Sequence, residues 1–283
     1  MTESRASDVG RRGFIGGAVG AALCGGAYGA EKGFKIGVCD WTLKKTADVG
    51  SLALAKRIGL DGVQVDLGSG AETDEALPLM SAELQGQFLA ESKKTGVVIP
   101  SLAMGVLNSV PYKGDGPAEA WVEASVDVAV KMGVKVVLLA FFGLGDLRDD
   151  DAGKAKVVER LKKLMVKAEA AGVTYGIESW LTADELIEIL DEVGSKNLKI
   201  YYDVGNMHRV RENIYSAIPK LGRDRICEFH AKDYDDLYGK GSIDFPRLRN
   251  VMGGIGYHGW VIMEGTKMPL GVEESNRYDA DYL

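Results

Sequence analysis

Basic residues are in deficit in this sequence, and cysteine and histidine are scarce. The 283 residues include 34 lysines and arginines against 41 aspartates and glutamates, and only three histidines and three cysteines. Nucleic-acid binding depends on clustered Lys and Arg, so we expect no nucleic-acid partner. Cys24, Cys39 and Cys227 form no disulfide framework. Because no proline- or serine-rich linker divides the chain after its N-terminal segment, we predict one domain with a large core.

The N-terminal segment lacks the bulky apolar side chains of a stable membrane-spanning helix. Arg11 and Arg12 precede an uncharged, glycine-rich run over residues 13–30, and this order is typical of a twin-arginine export signal. The alternative is a membrane anchor, but the run is barely long enough to span a bilayer. We therefore predict that residues 1–30 are an export signal. The mature protein, residues 31–283, is then periplasmic or otherwise exported, with no membrane association.

From residue 34 onward, short apolar runs alternate with amphipathic stretches of helical period. The eight runs are FKIGVC (34–39), GVQVDL (62–67), VVIPSLAM (97–104), VKVVLLAFF (134–142), VTYGIE (173–178), LKIYYDV (198–204), ICEFHA (226–231) and GWVIME (259–264). Several of the stretches between them end in glycine, as helix C-terminal caps do. Eight strand–helix units of roughly 25 to 35 residues predict a (β/α)8 TIM barrel. The tail after Glu264 is short for a full closing helix, so the pattern does not define the last unit.

A glycine-rich turn is absent after the first apolar run. The alternative fold is an open, doubly wound sheet, which typically has such a phosphate-binding turn at this point. The sequence there is CDWTLKK (39–45), and GKGS (239–242), after the seventh run, is typical of a simple turn. This absence favours the closed barrel.

Four residues of metal-ligand type lie at the ends of the last four runs: Glu178, Asp203, His230 and Glu264. Active sites of such barrels form at the carboxyl ends of the strands, so closure would bring these side chains together. Taken singly, a carboxylate at such a position is often a helix N-cap, and a histidine is often a hydrogen-bonded rim residue. Charged groups brought so close together would repel one another unless a cation or a proton compensates them. We therefore predict that they bind one divalent ion, Mn²⁺, Mg²⁺, Co²⁺ or Zn²⁺.

The segments around these residues resemble a known family. The similarity is to the sugar phosphate isomerase/epimerase superfamily of xylose isomerase-like TIM barrels, and it extends over nearly all of the mature chain. It is most specific in YYDVGN (201–206), FHAKD (229–233), GKGSIDFPRL (239–248) and GIGYHGWVIMEG (254–265). In ketose 3-epimerases of this superfamily, such a Glu, Asp, His, Glu set holds one divalent metal ion. The resemblance implies that Glu178 and Glu264 are also the catalytic acid/base pair.

The chain departs from the resembled family at two places. Ketose epimerases usually have a substrate-contacting histidine three residues after the ligand Asp, where this chain has Asn206, with His208 two residues later. We predict that both contact substrate, although Asn206 is also typical of a turn. Many members have a glutamate at the end of the second strand, where this chain has Gln64 and Asp66. These departures bear on the substrate rather than on the metal.

Four further residues near the strand ends are candidates for substrate binding. Lys232 and Asp233 directly follow His230. We predict that Lys232 binds a substrate oxygen and that Asp233 orients the lysine or a ligand, with a surface ion pair as the alternative. Trp41 and Trp180 are predicted to form an apolar wall against a sugar ring, with plain packing as the alternative.

The resemblance implies an exported, metal-dependent isomerase or epimerase that acts on a sugar or keto-sugar by proton transfer through an enediolate. One alternative is a lyase or dehydratase, of the inosose dehydratase or keto-glycoside type, on the same metal site. A second is a non-catalytic carbohydrate-binding protein. A metal-dependent endonuclease of this fold would need more histidines and a less acidic surface. Barrels with this motif often pair, so a homodimer is an alternative to a monomer.

Overall fold

The strands form one closed barrel in the structure, a computed structural model that describes residues 33–283 except 72 and 75. All eight strands are parallel and pair in chain order, and the first also pairs with the last. They are β1 (Lys35–Cys39), β2 (Gly62–Asp66), β3 (Ser101–Met104), β4 (Val136–Phe141), β5 (Thr174–Ser179), β6 (Leu198–Asp203), β7 (Ile226–Ala231) and β8 (Trp260–Met263). The predicted TIM barrel is confirmed. The predicted export signal, residues 1–30, lies outside the described residues.

Helices surround this barrel. They are α1 (Gly50–Ile58), α2 (Ala82–Thr95), α3 (Ala118–Met132), α4 (Asp151–Ala171), α5 (Ala183–Val193), α6 (Val204–Arg209), α7 (Ile214–Leu221), α8 (Phe245–Gly254) and α9 (Val272–Tyr282). Each of the first five ends at a glycine in the left-handed conformation, for example Gly96 with φ of 75°. A side chain there would be strained, which explains the glycines at the ends of the predicted helices. None of the described helices is both long enough and apolar enough to span a bilayer.

A helix completes the last unit. The tail after Glu264 contains an 11-residue helix, α9. It lies against α1, where Arg57 and Glu273 form an ion pair at 3.1 Å. The tail is therefore long enough for a closing helix after a short loop.

The core has two layers that follow the alternation of side chains along each strand. In β4, Val137 and Leu139 belong to the large cluster between the sheet and the helices, while Leu138 and Ala140 point into the barrel. Small inward residues such as Ala103 and Ala140 leave space at the carboxyl ends of the strands. This space is the cavity described below.

Candidate metal centre

The four predicted ligands come together at the carboxyl ends of β5 to β8. One ligand atom from each of Glu178, Asp203, His230 and Glu264 lies within 4.8 Å of the other three. Asp203 and His230 are paired in the register of β6 and β7, so their side chains emerge side by side. Glu178 comes from β5, and Glu264 directly follows β8. The ligand cluster, as we call these four residues, therefore spans half of the barrel rim.

The ligand cluster fits a divalent metal ion. Asp203 Oδ2 and Glu264 Oε2 are buried and accept no hydrogen bond from the described residues, although buried charged oxygens need a partner. Three carboxylates beside one lysine, Lys232, leave two negative charges when His230 is neutral, and one divalent cation neutralises them. Ligand atoms at roughly 2.0 to 2.3 Å from an ion are at most about 4.6 Å apart. The observed limit of 4.8 Å is close to this span.

Asp203 caps a helix with one carboxylate oxygen and faces the ligand cluster with the other. Its Oδ1 accepts a hydrogen bond from the N–H of Asn206 at 2.8 Å and caps α6. Its Oδ2 remains directed at the cluster, 3.5 Å from Lys232 Nζ. Burial raises the pKa of Asp203 well above its usual range, and Lys232 opposes this shift. The helix-capping role considered for a single carboxylate is thus compatible with a role as ligand.

Glu264 is held as a carboxylate by its neighbours. Lys232 Nζ lies 2.9 Å from Glu264 Oε1, and the indole N–H of Trp41 donates to the same oxygen at 3.2 Å. Burial disfavours the charged form of Glu264, but Lys232 and His230 outweigh it and lower the pKa of this carboxyl. Burial likewise opposes charge on Lys232, while Glu264 and Asp203 raise the pKa of the lysine. At neutral pH both groups are therefore charged.

His230 is fully buried, and each ring nitrogen has a defined neighbour. Nδ1 lies 3.2 Å from Glu178 Oε1 and 3.2 Å from Glu264 Oε2. Nε2 lies 2.8 Å from Gln64 Oε1. Burial opposes a charged ring, but the carboxylate of Glu178 helps to raise the pKa of His230 well above its usual range. Nδ1 is thus the nitrogen that faces the other ligands.

A cavity of about 490 Å³ opens above the ligand cluster. Phe142 and Trp180 form part of its wall and pack edge to face, with ring centroids 5.0 Å apart. Polar groups suited to hydroxyls are also present, including Asp66, Asn108 and Asn206. Apolar faces with a few placed polar groups are typical of small-molecule sites. The arrangement suits a compact ligand that carries both C–H surface and hydroxyl groups.

Four of the six residues predicted to bind substrate line this cavity: Trp41, Trp180, Asn206 and Lys232. Asn206 also donates its side-chain amide to Glu178 Oε1 at 3.0 Å. The amide therefore holds one of the two glutamates in place.

The other two, Asp233 and His208, are not among the residues that line the cavity. The carboxylate of Asp233 accepts hydrogen bonds from the N–H groups of Asp235 and Ile243, both at 3.0 Å, so it organises the loop after β7 instead of orienting Lys232. His208 lies on α6 and borders a separate surface groove. The geometry gives no support to substrate contact by either residue.

Tyr234 and Cys39 are among the residues at the site that were not singled out from the sequence. Tyr234 lines the cavity and donates its hydroxyl to Asn206 Oδ1. Its position directly after FHAKD was the available signal. Cys39 is fully buried, and its Sγ lies 3.5 Å from His230 Nε2. Its signal was its place at the end of β1, at the rim where the ligands also lie.

A family model described as "Xylose isomerase-like TIM barrel" matches residues 52–282. The L-ribulose-5-phosphate 3-epimerase of Salmonella heidelberg is 24% identical over 252 residues, which cover 83% of this chain and 84% of that protein. The D-psicose 3-epimerase of Enterocloster bolteae is 31% identical over 125 residues, 41% of each chain.

Solved structures show the same fold. The D-psicose 3-epimerase of Clostridium cellulolyticum is similar with a TM-score of 0.73 at 18% identity, over 88% of this chain and 98% of that one. A 3-keto-D-glucoside 4-epimerase from E. coli is similar with a TM-score of 0.70 at 17% identity, over the same two fractions. At these identities the likeness establishes the fold alone.

Proposed function

The chain belongs to the xylose isomerase-like TIM barrel family, and on that premise we propose that it is a divalent-metal-dependent epimerase or isomerase of a ketose or keto-sugar. One observation carries the proposal. Glu178 and Glu264 stand on either side of Asp203 and His230, and both glutamates line one cavity of suitable size for a sugar. The names of the relatives, which are epimerases of ketoses and of a keto-glucoside, support the substrate class.

Epimerisation next to a carbonyl needs a base to remove a proton from carbon and an acid to return it. Glu264 is ionised beside Lys232 and Trp41, and Glu178 is oriented by Asn206, so each glutamate is positioned to exchange a proton with a substrate in the cavity. A divalent ion held by the ligand cluster supplies Lewis-acid stabilisation of negative charge on the substrate oxygens. Lys232 provides a further positive charge for such an oxygen.

The aromatic wall orients the sugar in this proposal. Trp41, Phe142 and Trp180 present apolar surface that excludes water from the reacting carbon. Arg148 lies over the ring of Trp180, 4.4 Å from its centroid. The C–H face of a sugar ring would pack on this wall while its hydroxyls reach the polar groups opposite.

A lyase or dehydratase on the same site is the alternative. It would use the same first proton transfer and then expel a leaving group instead of returning the proton. A non-catalytic carbohydrate-binding protein would not require two glutamates on the same metal cluster.

The test is turnover in heavy water with free ketoses, a ketose 5-phosphate and a 3-keto-glucoside, each with and without Mn²⁺. We expect an epimeric product with deuterium at the carbon beside the carbonyl, and no product after metal removal. A dehydrated product would establish the lyase. Turnover without any deuterium incorporation would refute the acid/base role of the two glutamates. Binding without turnover of any sugar would favour the carbohydrate-binding alternative.

A further inference from the structure

A series of buried polar side chains lies inside the barrel beneath the ligand cluster. Its members are Gln64, Ser101, Tyr201 and Glu228, each at most 3% exposed. None of the four is among the residues that line the sugar cavity. We call them the relay residues. Because buried polar groups inside a barrel are costly unless they are paired, their arrangement needs a reason.

Hydrogen bonds connect the relay residues to His230 in an unbroken series. Gln64 Oε1 lies 2.8 Å from His230 Nε2, and the Gln64 amide nitrogen donates to Ser101 Oγ at 3.0 Å. The hydroxyls of Ser101 and Tyr201 donate to the same oxygen of Glu228, Oε2, at 2.7 and 2.8 Å. The series therefore begins at the side-chain carboxyl group of Glu228 and ends at a ring nitrogen of His230.

The direction of donation follows from the chemistry of each group. Ser101 has one hydroxyl proton, and it is directed at Glu228, so Ser101 Oγ accepts from the amide of Gln64. With its NH₂ group facing Ser101, Gln64 presents its carbonyl oxygen to His230. A carbonyl oxygen can only accept, so the facing nitrogen, Nε2, must be the donor.

We infer that the relay residues hold His230 with a proton on Nε2 and thereby assign Nδ1 as its metal-binding nitrogen. Nδ1 is the nitrogen that faces Glu178 and Glu264, at 3.2 Å from each. Gln64 and Ser101 are positioning residues, since neither is a ligand. The inference rests on the metal-binding part of the proposed function and is independent of which sugar is turned over.

Variants of Gln64 test its hydrogen bond with His230. Gln64→Met keeps the length of the side chain but removes the acceptor, and we expect about 10- to 100-fold weaker Zn²⁺ binding, as is usual when the partner of a ligating histidine is lost. Gln64→Glu retains an acceptor at the same place and should bind Zn²⁺ within a few-fold of wild type. Both affinities are measured by titration against a competing chelator.

Ser101→Ala tests the direction of donation. Without Ser101 the amide of Gln64 is free to turn its NH₂ group toward His230, so we expect weaker Zn²⁺ binding here too. Ser125→Ala is the matched control, because Ser125 is equally buried and lies 2.7 Å from a tyrosine hydroxyl, but on α3, away from the site. That control should bind Zn²⁺ as wild type does, whatever its stability.

The tautomer itself is read by NMR on Zn²⁺-loaded protein with ¹⁵N-labelled histidine. The chain has three histidines, and His208 and His258 are more accessible than the fully buried His230, which simplifies assignment. We expect His230 of the wild type and of Gln64→Glu to carry its proton on Nε2. In Ser101→Ala this single form should be lost.

Three results would overturn the inference: a proton on Nδ1 in the wild type, wild-type Zn²⁺ affinity in a folded Gln64→Met, or no difference between Ser101→Ala and Ser125→Ala. A wild type that binds no Zn²⁺ would overturn both this inference and the metal part of the proposed function. A wild type that binds Zn²⁺ through Nδ1 but epimerises no sugar would refute the proposed function alone.

Discussion

A change of Lys232 should lower turnover without weakening metal binding. Its charge lies 2.9 Å from Glu264 and 3.5 Å from Asp203, two of the proposed ligands. Lys232→Met removes this charge, so the ligand cluster becomes more negative and should bind Zn²⁺ at least as tightly as before. A substrate oxygen loses its positive partner, so we expect turnover to fall about 10²-fold. A parallel loss of metal affinity and turnover would contradict this separation.

His230 supplies the only imidazole of the ligand cluster. His230→Ala should lower metal content and abolish the rise in melting temperature that metal gives the wild type. A ligand that binds only the native state at 100 times its Kd adds about 2.7 kcal/mol. His258→Ala, an exposed position before β8, is the control and should keep the full rise. Melting curves with and without Mn²⁺, together with metal analysis, make the comparison.

Isosteric replacement can separate the acid/base role of Glu178 and Glu264 from their role in metal binding. Glu178→Gln or Glu264→Gln retains one ligand oxygen but removes the proton acceptor, so turnover should fall by about 10² to 10⁴. The measurement is the initial rate of epimerisation at saturating Mn²⁺. Full activity in either variant would remove that glutamate from the acid/base pair.

The sequence predicted that the four side chains of the ligand cluster come together, but it did not predict which residues support them. The ends of the apolar runs show where each strand meets the rim, so Asp203 and His230 could be placed from chain order alone. The contact between Gln64 and His230 joins β2 to β7 across the barrel interior. Periodicity shows which residues point inward but not which of them meet, so this contact was not predictable.

In helix α9, Asp279 should make the free energy of unfolding depend on pH. Asp279 on this helix accepts a hydrogen bond from the N–H of Tyr238 at 2.9 Å, and burial raises its pKa to about 6. The unfolded value is about 3.9, so between roughly pH 4 and pH 6 the unfolded chain loses the proton while the native state keeps it. Through this group, the free energy of unfolding falls as the pH rises across that window and is constant above it.

Asp279→Asn keeps the acceptor oxygen and cannot ionise. At pH 4 we expect the variant to have the same free energy of unfolding as wild type or a lower one. Between pH 4 and about pH 6 the value for wild type falls and that for the variant does not, so the variant becomes more stable relative to wild type. Urea unfolding at several pH values measures the difference. Asp281→Asn, at an exposed position of the same helix, is the control. An equal pH profile for wild type and Asp279→Asn would refute the assignment of the shift to this carboxyl.

The predicted strand boundaries are close to the observed ones except at β3, where a proline shortens the strand. The run at residues 97–104 was expected to be one strand, but β3 is limited to Ser101–Met104. Pro100 has no N–H to donate to a ladder, and ahead of it only a single bridge joins Val98 to Gly62. The position of α9 depends on contacts with α1 and with the loop after β7, which no local pattern encodes.

For the whole molecule, export stays a prediction, because the twin-arginine segment lies outside the described residues. If Arg11 and Arg12 direct export, expression of the full chain should yield protein in the periplasmic fraction, and the double change Arg11→Lys, Arg12→Lys should retain the protein in the cytoplasm. Fractionation with a cytoplasmic marker protein makes the measurement. Equal recovery from the periplasm with and without the arginine pair would refute the signal. The homodimer also stays a prediction.

The proposed metal ligands and much of the cavity wall come from different halves of the barrel. All four proposed metal ligands come from β5 to β8, whereas much of the cavity wall, including Trp41, Asp66 and Phe142, follows β1 to β4. Descendants of such a barrel can diverge in the sugar they accept by rebuilding the first half, while the inherited chemistry of the second half is left intact. Gln64 and Trp41 are exceptions, because they belong to the first half and contact His230 and Glu264, two ligands in the second. A designer who exchanges first-half loops to obtain a new specificity must keep both residues.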